Sequence, residues 1–539
     1  MKDIRATRRE LLRYAAAAGG AIGLGSVAAA CAPAAPPSAA APSAATAPAA
    51  ASAAASGTAK AVGGGTLNIG LRNPVQIADP HNAKGSGDNI IFANVYDRLV
   101  ELDFTSLKPQ PSLATSWRSI NDTTWELKLR KDVKFADGTP FNAAAVKVNL
   151  ERAATSSGSQ VFAANIASVD APDAETVVIK TKTPYAGTIF NLGQFQMSII
   201  APSAIDKGKE FLSTNGIGSG PFVIKEWVSG DRFVLERSAQ YWKQAPKLDR
   251  VVMRNMQNDN SRLAALQAGD LDVMTTPPAP AVKQLSADTR LAVSKFPLAR
   301  TYFVMYHLQD PIMKNVKVRQ AIAAAVNRKA LAEQVTEGLL RQANGFLPPE
   351  AIDSAGSDPG FQIEYNPERA KQLLKESGID TATVRLKMLP EASVVSSDAV
   401  ALAIQEDLKK VGLTMDIVQL EQAALIARYK DHDYQLGPQG WSTPDPDTSL
   451  HKVFSAKGRW NYPNLQDPAF EATIDQAAAT LDDAKRQAIY KGVFRELLEK
   501  AYYLPLFFEA SVVVSSKKVQ GFGWSPINAA FFHNTSLSS

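Results

Sequence analysis

The chain has 539 residues, 45% hydrophobic and 21% charged, a composition ordinary for a soluble globular protein. That length exceeds the roughly 250–300 residues at which single cores tend to split, so at least two domains are expected. The formal net charge is +5, but residues 1–30 hold five basic and two acidic side chains, so the rest carries only +2 and gives no argument for nucleic acid or an anionic membrane surface as partner.

The first element is a leader. Thr7-Arg8-Arg9-Glu10-Leu11-Leu12-Arg13 precedes an uncharged apolar stretch from Tyr14 to Ala30, and Ala28-Ala29-Ala30 lead into Cys31, the single cysteine. This order is a charged segment, an apolar segment and a small-residue cleavage site. A thiol just after such a site looks like a bacterial lipoprotein cysteine, lipid-modified and anchoring an extracytoplasmic protein. The alternative of a small buried hydrophobe finds no core in this surrounding. The stretch also falls short of the about 20 residues of a membrane span and is diluted by Gly19, Gly20, Gly23 and Gly25. Ala28 stands where this motif usually has Leu. Arg8-Arg9 followed by Leu11-Leu12 resembles a twin-arginine export signal, and two arginines also suit an ordinary signal peptide.

Residues 32–62 are low-complexity Ala, Pro, Ser and Thr, a composition with too little apolar area to offset ordering entropy. The segment reads as a tether with a root-mean-square span on the order of 30 Å. With Cys31 given to lipid, no thiol remains for a disulfide.

Thr66–Leu71 alternates and reads as a strand, as do Trp125–Leu129, Thr176–Lys180 and Arg232–Glu236. Asn142 is placed to cap a helix through Arg152, with Ala145, Val148 and Asn149 facing inward. Asn260-Ser261 is expected to cap a helix ending at Gly269. Later come helices over 316–326 and 328–340, and one from Pro367 to Gly378. Val384–Met388, Ser397–Val411 and Leu413–Leu420 form a strand–helix–strand unit, which suggests a mostly parallel sheet. Helices over 467–479 and 482–500 precede an apolar, β-like run from Tyr502 to Phe508.

Pro111-Ser112-Leu113-Ala114-Thr115-Ser116-Trp117 runs on to Trp125-Glu126-Leu127-Lys128-Leu129 and Asp137-Gly138-Thr139-Pro140-Phe141. This closely resembles the signature of the family 5 extracellular solute-binding proteins, the peptide/nickel/opine receptors of ABC importers. Asp79-Pro80-His81, Tyr96-Asp97-Arg98-Leu99, Gly218-Ser219-Gly220-Pro221-Phe222, Gln267-Ala268-Gly269-Asp270, Tyr365-Asn366-Pro367-Glu368 and Gly440-Trp441 follow in the family's order. The likeness spans the chain from Thr66 onward. It implies an α/β, two-lobed periplasmic-binding-protein fold of type II, in the large cluster with an extra subdomain, and a ligand cleft crossed by two hinge segments. It also implies a first lobe over 65–300 containing the extra subdomain, a second over 301–504, and a return to the first over 505–539.

Among site candidates, Trp441 follows the strand-like Tyr434–Gly437 and opens an irregular segment, where α/β folds place ligands. The bland alternative is a core tryptophan. By the resemblance, peptide-binding members carry an acid shortly after this Trp that pairs with an amino terminus. The nearest equivalent is Asp445 in a shorter loop, while Asp447 suits a helix cap. Trp460-Asn461 resembles another cleft segment, and Tyr503 and Phe507 flank the second hinge; for each, core packing is the rival reading. The five histidines show no paired metal-ligand spacing, and no cofactor is expected. Gly216-Ile217-Gly218-Ser219-Gly220 has its serine at the wrong position for a nucleophile elbow, so an enzyme is not expected. The expected partners are a small solute (oligopeptide, dipeptide, opine or glutathione-like), ABC permease subunits and the membrane through lipid, with the protein a monomer. A tethered sensor or chaperone using the same cleft is the alternative.

Overall fold

The computed structural model describes residues 64–353, 360–391 and 396–538; Cys31, the leader and the 32–62 tether lie outside the described residues. Among the described residues, no helix is long and apolar enough to cross a membrane.

An eleven-stranded sheet runs through the molecule. Its main members, in chain order, are β1 (Thr66–Leu71), β2 (Phe222–Val228), β3 (Arg232–Arg237), β4 (Arg250–Asn255), β5 (Val273–Thr275), β6 (Leu291–Tyr306), β7 (Arg385–Met388), β8 (Thr414–Ile417), β9 (Leu436–Ser442) and β10 (Tyr503–Ser516). The spatial order is β8-β7-β9-β6-β10-β5-β1-β4-β3-β2. β1 runs parallel to β4 and β5, and β7 parallel to β8 and β9, whereas β6 pairs antiparallel with β9 and β10. The sheet is therefore mixed, not mostly parallel: the strand–helix–strand pattern holds for β7, helix α1 (Ser397–Lys410) and β8, and the long crossing strands run against it. A separate four-stranded sheet spans Ala114–Thr181.

β6 and β10 lie side by side, from Leu291 opposite Ser516 to Met305 opposite Tyr503. Each changes core midway. Phe296 and Ala299 on β6 and Val513 on β10 pack with the core that begins at Leu67, while Leu291, Val293 and Val514 join a small third cluster with Leu266 and Met274. Tyr302 onward on β6, and Tyr503 to Phe507 on β10, pack in a second core. The β6–β10 register breaks between Pro297 and Thr301, where the cores part.

Asn142 does cap Ala143–Thr155, accepting from Ala145 N at 3.0 Å, but Val148 is exposed and Val146, Leu150 and Ala153 supply the inward face. The cap of Asp259–Ala268 is Asn258, two residues before the expected Asn260, because its side chain reaches Ser261 N. The expected helix over 328–340 stops early: a short α-turn passes into a π-turn at Leu331–Val335, and left-handed Glu337 and Gly338 end it. Pro367 opens and left-handed Gly378 closes a helix as expected.

Candidate functional site

An opening lined by both crossing strands lies where the cores part. Its volume is about 550 Å³, within the range of ligand sites. One wall is formed by Leu71–Pro74 and Thr275–Pro277, the carboxyl ends of parallel neighbours β1 and β5, where α/β sheets place ligands. The floor is made by the crossing strands, through Leu298 and Arg300 of β6 and Glu509 to Val512 of β10. Leu339, Leu340 and Glu391 close the far side. Glu391 follows the carboxyl end of β7 by three residues.

Arg300 and Glu509 face each other across β6 and β10, Nε to Oε1 at 3.1 Å. Arg300 Nη2 also donates to Gly440 O at 2.7 Å. Burial, helped by the nearby Glu391 carboxylate, pushes the Glu509 carboxyl above its ordinary range although Arg300 opposes the shift. Gly440 leaves room for this pair: a Cβ there would stand 2.5 Å from Glu509 Oε1 and 2.8 Å from Arg300 Nη2, and the two side-chain ends would have to shift. At the rim, Arg72 is anchored by its backbone N–H to Thr275 Oγ1 at 3.3 Å, while its guanidinium stays partly open, 3.8 Å from Asp259. The cavity thus presents two guanidinium and two carboxylate side chains.

None of the six ligand-binding candidates is among the described residues that line this cavity. Trp441 lies inside β9 rather than after a strand, opposite Thr301 of β6, because the ladder continues to Ser442. It is half-buried, donates Nε1–H to Gln439 Oε1 at 2.6 Å and meets Phe303 edge-on at 5.5 Å and Trp460 at 5.7 Å. Trp460 is also half-buried, with Lys452 Nζ 5.4 Å above its ring. Asn461 holds its own loop, accepting from Leu465 N at 3.0 Å and donating to Leu465 O at 3.2 Å. Tyr503 and Phe507 are fully buried in the second core; Phe507 stacks on Tyr302 at 5.9 Å, and Tyr503 packs edge-on against Phe303 and Phe346.

Asp445, rather than Asp447, caps helix α2 (Pro446–Phe454), accepting from Thr448 N at 2.7 Å, and it is buried. Asp447 sits in the first turn, with its Oδ1 3.0 Å from His451 Nδ1. The Gly218-Ser219-Gly220 run is also structural. A Cβ at Gly218 would strike the Val95 carbonyl, and Ser219 donates to buried Asp97 at 2.9 Å. Among the described residues no group of three or more His, Cys, Asp or Glu is arranged to hold a metal.

The residues that sequence reading missed are Arg300, Glu509, Glu391 and Arg72. The first two had a signal. Each is a lone charge in an otherwise apolar crossing strand, within Phe296–Tyr306 and Tyr503–Val514.

A two-lobed α/β frame with a walled cavity over two crossing strands defines a binding protein that encloses a solute. The profile of the Bacterial extracellular solute-binding proteins, family 5 Middle, matches residues 108–461. The chain belongs to this family, the substrate-binding components of ABC importers. Among relatives, the glutathione-binding protein GsiB of Escherichia coli K12 is 28% identical over 477 residues, 85% of this chain and 92% of its own. The probable D,D-dipeptide-binding periplasmic protein DdpA of the same strain is 26% identical, covering 88% and 94%. In three dimensions, DppA of Helicobacter pylori in complex with the peptide STSA superposes with a TM-score of 0.75 at 25% identity, over 88% of this chain and 99% of that one. CtaP of Listeria monocytogenes shares the fold with a TM-score of 0.80.

Proposed function

We propose that this protein captures a zwitterionic solute of dipeptide to tripeptide size, glutathione-like or opine-like, and delivers it to an ABC permease. The observation that carries this reading is the cavity between the lobes, where Arg72 and Arg300 stand with Glu391 and Glu509. Paired guanidinium groups suit a ligand carboxylate, and carboxylates suit an ammonium. Relatives named for glutathione and D,D-dipeptides are in keeping with that class. Asp445 caps its helix and does not line this cavity, so Glu509 and Glu391 are the better receivers of an amine.

Capture works by lobe closure. The lobes are read as 65–300 and 301–504 with a return over 505–539; packing of Leu506 and Phe507 in the second core favours a second crossing nearer 508–512. A solute touching both lobes binds the closed form better, and only that difference shifts the population. The protein acts by binding alone, as a monomer. Around the candidates at Trp441 and Trp460, an aromatic cluster one strand from Arg300 supports the floor. A lipid at Cys31 and the following tether hold the protein near its permease, after export by the signal that includes Arg8-Arg9. Replacing Cys31 by Ser should release it from membranes; retention there would end the anchor reading.

The direct test is thermal unfolding of the purified protein with reduced glutathione, D,D- and L,L-dipeptides and opines, together with mass spectrometry of any retained solute. A ligand at 100 times its Kd adds about 2.7 kcal/mol. Stabilisation by a zwitterion that is lost with Glu509→Gln supports the assignment. Stabilisation only by solutes lacking an amine, or none across the series, retires it.

A further inference from the structure

The lobes meet a second time, away from the cleft. The first-lobe segment Tyr185–Phe190 lies against the amino end of α2 in the second lobe. Ala186 N donates to Ala478 O at 2.9 Å, and Lys452 Nζ stands 5.4 Å above the first-lobe Phe162 ring. At this contact is a small pocket of about 40 Å³, room for a water molecule. Gly187 and Phe190 bound it from one lobe, and Asp445, Arg486 and Tyr490 from the other.

Capping explains only half of Asp445. Its Oδ1 serves Thr448 N, but its Oδ2 has no partner, although the residue is only 5% exposed. The hydroxyl of Tyr490, 1% exposed, also has no partner. The charges around Asp445 are otherwise engaged. Asp447 and His451 pair on α2 itself, with Asp475 on the far side of the imidazole. Arg486, on helix α3 (Asp483–Glu499), is held by Asp353 at 3.3 Å and Asp483 at 2.7 Å. Lys452 lies between the rings of Phe162 and Trp460, with Arg459 nearby, and the phenols of Tyr185 and Tyr490 face the carboxylates from either lobe. Among the described residues no cation lies within ion-pair distance of Asp445. Closure therefore buries a carboxylate with one oxygen unsatisfied, a state that protonation relieves.

We infer that Asp445 is a proton-binding site built into the second lobe contact, so that closing the lobes takes up a proton there. This rests on the closure reading given above. Burial first, and the neighbouring Asp447 second, raise the Asp445 carboxyl to about 6, against an ordinary value of about 3.9. With the lobes apart, water reaches the group and its pKa falls back. The closed form then binds the proton more tightly. Above pH 6 both forms are ionised and closure is disfavoured. As the pH falls from 6 towards 4, the closed-to-open ratio rises, by at most about a hundredfold if the whole shift comes from the opposing lobe.

The test uses the full chain with Cys31→Ser and dye-labelled cysteines at Ile120→Cys and Leu402→Cys, 52% and 57% exposed on opposite lobes. Energy transfer between the dyes is followed from pH 8 to pH 4. The expected result is a shorter distance in acid, the change developing between pH 6 and pH 4, and no such step in the same protein carrying Asp445→Asn, whose amide keeps the cap without titrating. A step that survives Asp445→Asn, or one of opposite sign, overturns the inference. A distance insensitive to pH but shortened by glutathione or dipeptides also overturns it and leaves closure standing. A distance that no condition moves overturns both.

Discussion

Arg300 and Glu509 are the charges whose surroundings decide most. Arg300→Ala leaves the Glu509 carboxylate in a seat only 16% exposed. Removing one partner of a fully buried pair costs roughly 3–5 kcal/mol; with Arg300 itself 29% exposed, about 2 kcal/mol is expected from urea unfolding. Glu509→Gln keeps an acceptor for Arg300 and should cost less than half of that while lowering solute affinity at least about tenfold. Gly440→Ala tests the same seat differently. Its new methyl meets the far ends of two flexible side chains, so the unfolding midpoint should barely move while solute affinity falls. A lost midpoint with affinity retained would make the seat structural. Trp441 belongs to an aromatic cluster with Phe303, Trp460 and Tyr462. Trp441→Ala should therefore lower stability without ligand by about 2 kcal/mol, less than the roughly 3–5 kcal/mol for a fully buried aromatic. Equal stability with weaker solute binding would place the ring in contact with ligand instead.

At the scale of elements, α2 concentrates charge: two acids in its opening, and His451 one turn on, bracketed by Asp447 and Asp475 at 3.0 and 2.9 Å. Burial lowers the His451 pKa, but the two carboxylates outweigh it and raise it to about 10. The stabilisation is therefore complete below about 6.5 and is lost as pH rises towards 10. For this third-exposed ring we expect on the order of 1–2 kcal/mol after solvent screening. Denaturant unfolding of His451→Gln beside the parent should show that gap at pH 6 and its near disappearance at pH 10. Such elements were only partly legible in the sequence. Asn142, Pro367 and Gly378 announced helix ends because capping is local chemistry. Asp445 and Asp447 both fit a cap pattern, and only the backbone angle at Asp445, extended before the helix starts, separates them. Glu337 and Gly338, both left-handed, stop a helix that apolar periodicity continues.

For the whole molecule, the ordered motifs from Pro111 to Trp441 carried the two-lobed fold, and the family match over 108–461 bears that out. The cavity was less legible. Its lining comes from residues as far apart as Arg72, Arg300, Glu391 and Glu509, brought together by two strands that pair only after the chain returns. Motif likeness pointed instead to aromatics, of which Tyr503 and Phe507 lie sealed in the second core. Those paired strands have a mechanical consequence. β6 and β10 form one hydrogen-bonded ribbon whose two irregularities fall close together, between Pro297 and Thr301 and between Tyr302 and Phe303, not two slack tethers. Such a ribbon flexes like a leaf spring clamped at both ends: it bends at its soft place and resists sliding or free swivelling. Every solute that shuts the lobes must then produce nearly the same outer contour. A permease that reads this contour receives one signal, loaded, without needing to sense which molecule lies inside.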